Sequence, residues 1–562
     1  MADTPRAARV FLAAVWAVAL GLLFLRLGYA PLTDVDEGAF AEATREMLAR
    51  GDWVSPWLLD QPRFDKPALI HWLQMAGIWL LGLNAWGARL PSAVAGLIWV
   101  GAIGWWARLV AQKLWPQNGE DLATWAQAWA MLLAVTSLGI PAIARAATAD
   151  ATLNAFLVLT LVLLWQALWG TEQRSFSSQG DPGRRWARAA ALCIALGLLT
   201  KGPIAVLVPG AAGLIATLWS GSLRRLLWLL RDPWSWFILA AVTTPWYLLQ
   251  YLAQGQAFID GFLGVHNVGR FTGTMHGFAA GPWYYPVWIM VATMPASGLV
   301  LAVLGMSLTR YGRSVLQLQR RELRLAWAVF VFVLVFFSFS ATKLPHYGFY
   351  GLAGLMVLLA VALVGQLRNG QVGLMRLLVA VASLGVIGLG LLPETFAGLV
   401  ARVTDPYHAV VLQAVDQDIA AAKTLFVFGG VLGAVLLVVV LFTRRGLAWM
   451  GLAACTVFAA FIHLALVPMV MHHLREPIWQ AGLQVRSLPS DAPVYTWRMS
   501  VPSLSFAAQR VVPRGDPEPG RWLLVYAHHL PELQGRAPAV RLAFASRGMA
   551  LVHWPAEAGR SP

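Results

Sequence analysis

Residues 324–366, RLAWAVFVFVLVFFSFSATKLPHYGFYGLAGLMVLLAVALVGQ, hold two apolar runs joined by a short turn that carries Lys343, His346 and Tyr347. Arg324 stands ahead of the first run. About twenty apolar residues are needed to cross the roughly 30 Å hydrocarbon layer as a helix, because each helical residue advances only ~1.5 Å. The stretch therefore reads as a membrane hairpin, with arginine on one side and isolated reactive groups on the other. Working outward, windows of this kind recur about thirteen times by the same length criterion. They lie near 9–29, 86–107, 123–142, 150–170, 187–200, 203–220, 234–252, 283–307, 325–341, 346–366, 371–392, 423–443 and 447–471.

Composition agrees with a chain that uses the bilayer as solvent. Of 562 residues 58% are hydrophobic and 12% charged, and mean hydropathy is +0.63, which no soluble core requires. The first window follows Arg6 and Arg9 and exceeds the length of a signal-peptide core, so it reads as an uncleaved span. With the N-terminus in the cytoplasm, Arg184, Arg185 and Arg188, then Arg224, Arg225 and Arg231, then Arg310, Arg313, Arg320, Arg321 and Arg324, and finally Arg444 and Arg445 fall in inner loops, as the positive-inside rule demands. The net charge of +15 is thereby topological and suits anionic membrane lipids, and it calls for no nucleic acid. Cys193 and Cys455 both sit within spans, which excludes a disulfide framework.

Two domains are expected. Residues 1–471 form the membrane domain, with outer loops at 30–85 and 253–282. Residues 472–562 change character, with prolines and short strand-like runs at Val494–Trp497, Trp522–Tyr526 and Val540–Phe544, and read as a small α/β domain outside the cytoplasm. The fold class is an all-α polytopic membrane protein with amphipathic juxtamembrane helices in the first outer loop and this C-terminal appendage. In Glu37–Arg50, Phe40, Thr44, Met47 and Leu48 share one helical face opposite Glu42, Arg45 and Glu46, the pattern of a helix lying on the membrane surface. Asp34 and Glu37 at its start have the spacing of a capping box.

The outer turns carry more than anchors. Asp36, Asp65 and Lys66 come from the first loop, Arg145 and Asp150 from the next, then Lys201, then His266, Arg270 and His276, then Lys343, His346 and Tyr347. Ionisable groups at membrane depth are costly and face a cavity or a partner. Five loops contributing both signs of charge point to a shared cavity in which Lys66, Lys201, Arg270 and Lys343 hold a phosphate leaving group. Asp36 is then a base if the acceptor is a hydroxyl, or a positioning group if it is a phosphate.

The run Asp36-Glu37-Gly38-Ala39-Phe40-Ala41-Glu42-Ala43-Thr44-Arg45-Glu46-Met47, with Gly51-Asp52-Trp53, Phe64-Asp65-Lys66-Pro67, Thr200-Lys201-Gly202-Pro203, His266-Asn267-Val268-Gly269-Arg270-Phe271, Gly281-Pro282-Trp283-Tyr284-Tyr285 and Lys343-Leu344-Pro345-His346-Tyr347, resembles the bacterial aminoarabinose transferases. These are GT-C type, polyprenyl-phosphate-dependent glycosyltransferases related to protein mannosyltransferases, and the likeness extends from about residue 30 to 350. It implies Asp36, with Glu37, at the reaction centre, and Lys66, Asp150, Lys201, Arg270, Lys343 and Tyr347 around the donor phosphate and sugar. Asp65 and His266 either orient the loops or hold a divalent ion such as zinc or magnesium; no cofactor is otherwise required. Two departures stand out: Gly38-Ala39-Phe40 replaces the usual x-Arg-Tyr after the acidic pair, and Asp65 stands where many relatives have glutamate.

The resemblance implies a monomeric inner-membrane enzyme that takes a sugar, 4-amino-4-deoxy-L-arabinose or a relative, from an undecaprenyl-phosphate-type carrier. It would transfer that sugar to lipid A or another envelope glycolipid at the periplasmic face, where the C-terminal domain also lies. Two rivals stand beside this reading. A protein or oligosaccharide acceptor would make Asp34-Val35-Asp36 a metal motif. A lipid-linked-sugar flippase would place its ionisable groups nearer the midplane and show internal repeats.

Overall fold

A computed structural model describes residues 5–170, 182–269, 281–310, 312 and 320–556. Seven helices among them are long and apolar enough to cross a membrane: Arg6–Phe24, Ala85–Leu114, Asp150–Gly170, Pro345–Arg368, Gly373–Gly390, Lys423–Phe442 and Leu447–Ser487. The remaining windows of the sequence are helical too, but shorter, interrupted or less apolar. The 123–142 window is divided between Gly119–Val135 and Gly139–Ala144, and the 283–307 window between Tyr284–Ala292 and Ser297–Leu308. Pro295 lies at the second break and supplies no N–H to continue a helix. Helices dominate because hydrocarbon cannot hydrogen-bond a backbone, so each segment must satisfy its own N–H and C=O groups.

Leu352–Arg368 lies at the centre, with residues from Leu352 to Val364 all buried. Indole rings fill the space around it: Trp99, Trp106, Trp129 and Trp165 are fully buried. Small residues let neighbouring backbones approach. A Cβ at Gly354 would stand 2.3 Å from the Ala326 carbonyl oxygen and 2.6 Å from Val329. At one end of the bundle the arginine-rich turns interlock: Arg188 pairs with Asp232 at 2.9 Å, Arg321 donates to Ser222 at 2.6 Å and Arg324 to the Trp219 carbonyl at 2.7 Å.

The other end carries the first loop and the C-terminal sheet. Helix Val467–Ser487 runs unbroken through the boundary expected at residue 472. Beyond it, four strands, β3 (Val494–Thr496), β4 (Trp522–Tyr526), β5 (Arg541–Ser546) and β6 (Met549–His553), form a sheet in the order β3-β4-β6-β5. A two-stranded ribbon, β1 (Trp57–Leu58) and β2 (Gln61–Pro62), lies in the first loop. β3 runs parallel to β4, and β6 is antiparallel to both β4 and β5. Three of the four sheet strands coincide with the expected runs. The fourth, β6, is almost wholly buried, so its apolar run lacks the alternation that marks a half-exposed strand. The turn before it, Arg547-Gly548, has φ of 38° and 81°, the left-handed geometry of a tight hairpin.

Replacing Gly354 by valine forces the helix off the Ala326 carbonyl. Overpacking of this kind costs about 1–3 kcal/mol, so Gly354→Val is expected to lower the thermal unfolding midpoint in detergent, whereas valine at the open position Gly388 is not.

Candidate active site

The loop helix Asp36–Arg50 forms over the expected residues and ends at Gly51, whose φ of 66° gives a left-handed cap. Its setting differs from the surface helix read from the sequence. Every residue from Glu37 to Met47 is buried, on both faces, because the C-terminal unit covers the side that was expected to meet water. The capping box is also absent. Val35 is the N-cap without a side-chain bond, and Asp34 turns instead to Ser503.

Glu37 points away from solvent into a buried knot. It accepts from Arg89 at 2.8 Å on both oxygens, from the Thr33 N–H at 2.9 Å and hydroxyl at 2.6 Å, and from the Ala147 N–H at 2.7 Å. Burial alone would raise its pKa; Arg89 and these donors outweigh that and bring it from 4.5 down to about 2. All five Arg89 donors are used as well, the remaining three on the carbonyls of Leu27, Ala30 and Pro31. No motif marks Arg89 in the sequence. An arginine in the second turn of an otherwise apolar span is the signal that could have found it.

Asp36 is exposed at the first turn of the loop helix, one turn before Phe40 and on the same face. The Phe40 ring stacks on His71 with centroids 5.7 Å apart and lies under the Arg63 guanidinium at 4.6 Å. Arg63 in turn donates to the Ala39 carbonyl at 2.6 Å and pairs with Asp65 at 2.6 Å. Lys66 Nζ stands 3.5 Å from the Asp65 carboxylate. Burial opposes ionisation of Asp65, but Arg63 and Lys66 prevail and hold it well below the usual carboxylate range. Arg63 thus links the loop helix to the Asp65-Lys66 turn, a role that its sequence context did not reveal.

Asp65 and Lys66 face a cavity of about 410 Å³ that also takes in Lys201, His266, Asn267, Tyr347 and Tyr350, with apolar walls from Ile204, Leu207, Leu263, Phe336 and Phe337. Lys201 is the last residue of helix Pro182–Lys201. Gly202, at φ 85°, turns the chain there, and a Cβ on it would lie 2.7 Å from the Phe262 ring. The Lys201 ammonium pairs with Asp150, and His346 Nε2 lies 4.0 Å from the same carboxylate. The same ammonium sits 5.9 Å from the Tyr347 ring and 5.7 Å from that of Tyr350.

The structure therefore brings Asp65, Lys66, Lys201, His266 and Tyr347 to one cavity, with Asp150 behind Lys201. Lys343 has a different position from the one expected. Its ammonium donates to the carbonyls of Phe337 at 3.1 Å and Ser338 at 2.6 Å and to that of Ser340, capping the end of helix Arg324–Ser338. Arg145 is likewise an anchor, on the carbonyls of Leu22 and Leu25. Arg270 and His276, and with them much of the 253–282 loop, lie outside the described residues. For a divalent ion the donor set is poor. The Asp65 carboxylate is engaged by two cations, and no group of three His, Cys, Asp or Glu gathers among the described residues, so among them Asp65 and His266 do not fit a resident metal.

Known proteins resemble this chain in sequence and in fold. The model of the dolichyl-phosphate-mannose-protein mannosyltransferase family matches residues 10–254. The undecaprenyl phosphate-alpha-4-amino-4-deoxy-L-arabinose arabinosyl transferase of Pseudomonas aeruginosa (strain UCBPP-PA14) is 32% identical over 395 residues, 68% of this chain and 64% of that protein. Its namesake in Erwinia tasmaniensis is 30% identical over 325 residues, 58% of this chain and 54% of that protein. The chain thus spans less than two thirds of the length of these curated relatives. Crystal structures of ArnT from Cupriavidus metallidurans superpose over nearly the whole chain. The form bound to undecaprenyl phosphate gives a TM-score of 0.74 at 21% identity, covering 98% of both chains, and the apo form gives 0.71 at 22%, covering 97% and 98%. That likeness establishes the fold, and together with the sequence matches it shows that the chain belongs to the ArnT-like, GT-C type glycosyltransferase family.

Proposed function

We propose that this multi-pass membrane protein transfers a sugar from a polyprenyl-phosphate carrier to lipid A or another envelope glycolipid at the periplasmic face of the bacterial inner membrane. The observation that carries the reading is the shape of the cavity. Its cationic end, Lys66 and Lys201, adjoins an apolar groove of about 630 Å³ walled by Ile215, Trp219, Trp327, Phe332 and Phe339, and Phe336 lines both. A ligand with an anionic head and a long hydrocarbon tail fits that pairing, and a water-soluble nucleotide sugar does not. Of the sugars, 4-amino-4-deoxy-L-arabinose is favoured by the names of the relatives. The arginines of the opposite end support an N-terminus in the cytoplasm.

In this mechanism the acceptor oxygen attacks C1 of the sugar, a new C1–O bond forms, and the C1–O bond to the carrier phosphate breaks with inversion. The electron pair leaves on the phosphate, and Lys66 and Lys201 stabilise it as a preformed positive field among apolar walls. Asp150 and Asp65 hold the two ammonium groups in place between turnovers. Asp36 takes the acceptor proton when the acceptor is a hydroxyl, and orients it when it is a phosphate. Glu37 we assign to anchoring the loop helix, since its oxygens already accept five bonds.

Purified protein in nanodiscs, supplied with radiolabelled undecaprenyl-phosphate aminoarabinose and lipid A, tests the reaction. Wild type should move label to lipid A, and Asp36→Asn should lower kcat by about 10²-fold or more. Label reaching a protein or oligosaccharide but never lipid A would point to the rival acceptor, and donor crossing the bilayer without transfer would favour a flippase. Lys201→Ala should reduce kcat/KM by about 10²-fold, as loss of one charge-stabilising group does.

Glu37 separates anchoring from catalysis. Its folded pKa of about 2 lies below the ordinary 4.5, so its ionised form stabilises the fold above pH 4.5, and that contribution disappears as pH falls toward 2. Breaking a buried pair costs about 3–5 kcal/mol. Glu37→Gln should therefore unfold at lower temperature near neutral pH, and its midpoint should depend less on pH between 4.5 and 2 than that of wild type.

A further inference from the structure

The C-terminal unit reaches the first loop at one residue in particular. Asp34 Oδ1 accepts from the Ser503 N–H at 2.9 Å, Asp34 Oδ2 accepts from the Ser503 hydroxyl, and the Asp34 carbonyl accepts from Arg475 at 3.1 Å. Arg475 lies on helix Val467–Ser487, the strut that leads out of the membrane bundle. Asp34 is two residues ahead of Asp36, so these three bonds act on the backbone from which the proposed reactive acid projects. Approach is close enough to restrict the neighbouring residue type. A Cβ at Gly38 would lie 2.3 Å from Asp34 Oδ1 and 2.7 Å from the Ser503 nitrogen.

Adhesion alone does not call for this contact. The short helix Pro502–Ala508 already docks through Phe506, which is 1% exposed and packs with Leu32, Ala41, Ile78, Ala85, Ala88 and Ala147. Withdrawing a carboxylate from water is unfavourable, and burial pushes the Asp34 pKa up to about 6 in spite of the Ser503 bonds and Arg475. What such a bond adds to an apolar contact is direction: two oxygens bound to two donors of one residue fix the turn in orientation as well as distance.

Resting on the proposed transfer reaction, we infer that Asp34 and Ser503 are positioning residues through which the C-terminal unit sets the orientation of Asp36 at the head of the loop helix. The unit is then part of the active machinery, and its loosening slows the chemical step without weakening the hold on the donor.

The test uses the full-length protein in nanodiscs with the variants Ser503→Ala, Asp34→Ala, the double variant and Ser503→Thr. Transfer kinetics with labelled donor are read alongside amide exchange over residues 36–50. Ser503→Ala removes only a hydroxyl and keeps the Phe506 anchor, so folding is preserved. A displaced reactive group loses about 10–10²-fold in rate. Each single variant should therefore lose kcat in that range at unchanged donor KM, with faster exchange in the loop helix. The double variant should be no worse than either single one, and Ser503→Thr should recover most of the rate. Unchanged kcat in Ser503→Ala despite faster exchange would reduce the contact to a structural one and overturn the proposal. So would losses in the single variants that multiply in the double. If wild type moves no sugar, the transfer reaction itself fails. Exchange then still judges the contact, since unaltered protection of residues 36–50 in Ser503→Ala rejects it.

Discussion

The ion pair between Glu37 and Arg89 is the constraint from which the arrangement of the site follows. Arg89 projects from the second spanning helix and binds the chain at Leu27, Ala30 and Pro31, where the first span ends; Glu37 binds the start of the loop helix and the turn at Ala147. Four chain segments meet in one knot whose polar atoms are all partnered. A buried pair of this kind adds little to net stability over apolar packing, but losing one partner strands a charge in a medium that cannot solvate it. The knot therefore acts as a specification of geometry, and it fixes Glu37, the neighbour of Asp36 in sequence, at the start of the loop helix.

Around the cavity the same physics takes a less complete form. Lys201 is matched by Asp150, and Lys66 by Asp65, each at a helix end or turn rather than inside a span. Arg63 takes a share of Asp65 and so ties the cavity wall to the loop helix. Lys201, paired with the Asp150 carboxylate, is directed to the cavity, whereas Lys343, saturated by carbonyls, serves its own helix. The difference between Lys201 and Lys343 lies in this saturation and not in charge or burial, since both are buried. Where the ammonium groups meet apolar walls, their field is weakly screened, and an anion that displaces a carboxylate from them gains more than it would in water.

Much of this is legible in the sequence. Seven of the thirteen hydropathy windows coincide with helices long and apolar enough to cross a membrane among the described residues. Lys66, Lys201, His266 and Tyr347, drawn from four separated turns, do line one cavity, and Asp150 stands behind Lys201. The loop helix begins and ends within a residue of the expected range. What failed to show in sequence were the partners. Periodicity marks one face of the loop helix for lipid, but His71 and Gln74 of helix Leu69–Leu81 bond Thr44 on that face, and on the face marked for water Arg45 reaches the Gln509 carbonyl. The Asp34-Glu37 spacing suggested a capping box, yet the partner of Asp34 is 469 residues away. Arg63 and Arg89 carried no motif, and β6 lacked alternation because both its faces are buried.

Local sequence dictates which segments are apolar enough for the bilayer, which turns carry arginine and which carry the isolated ionisable groups. Those are local decisions: a helix that cannot hydrogen-bond to lipid must be long and apolar over its own length, and arginine marks one side of each hairpin within a few residues. Packing alone sets which carboxylate meets which cation, buries Glu37 while Asp36 stays exposed, and makes Lys343 cap a helix while Lys201 faces the cavity. Charge pairing depends on distances of a few ångströms between residues far apart in the chain, and such distances exist only once the helices have packed.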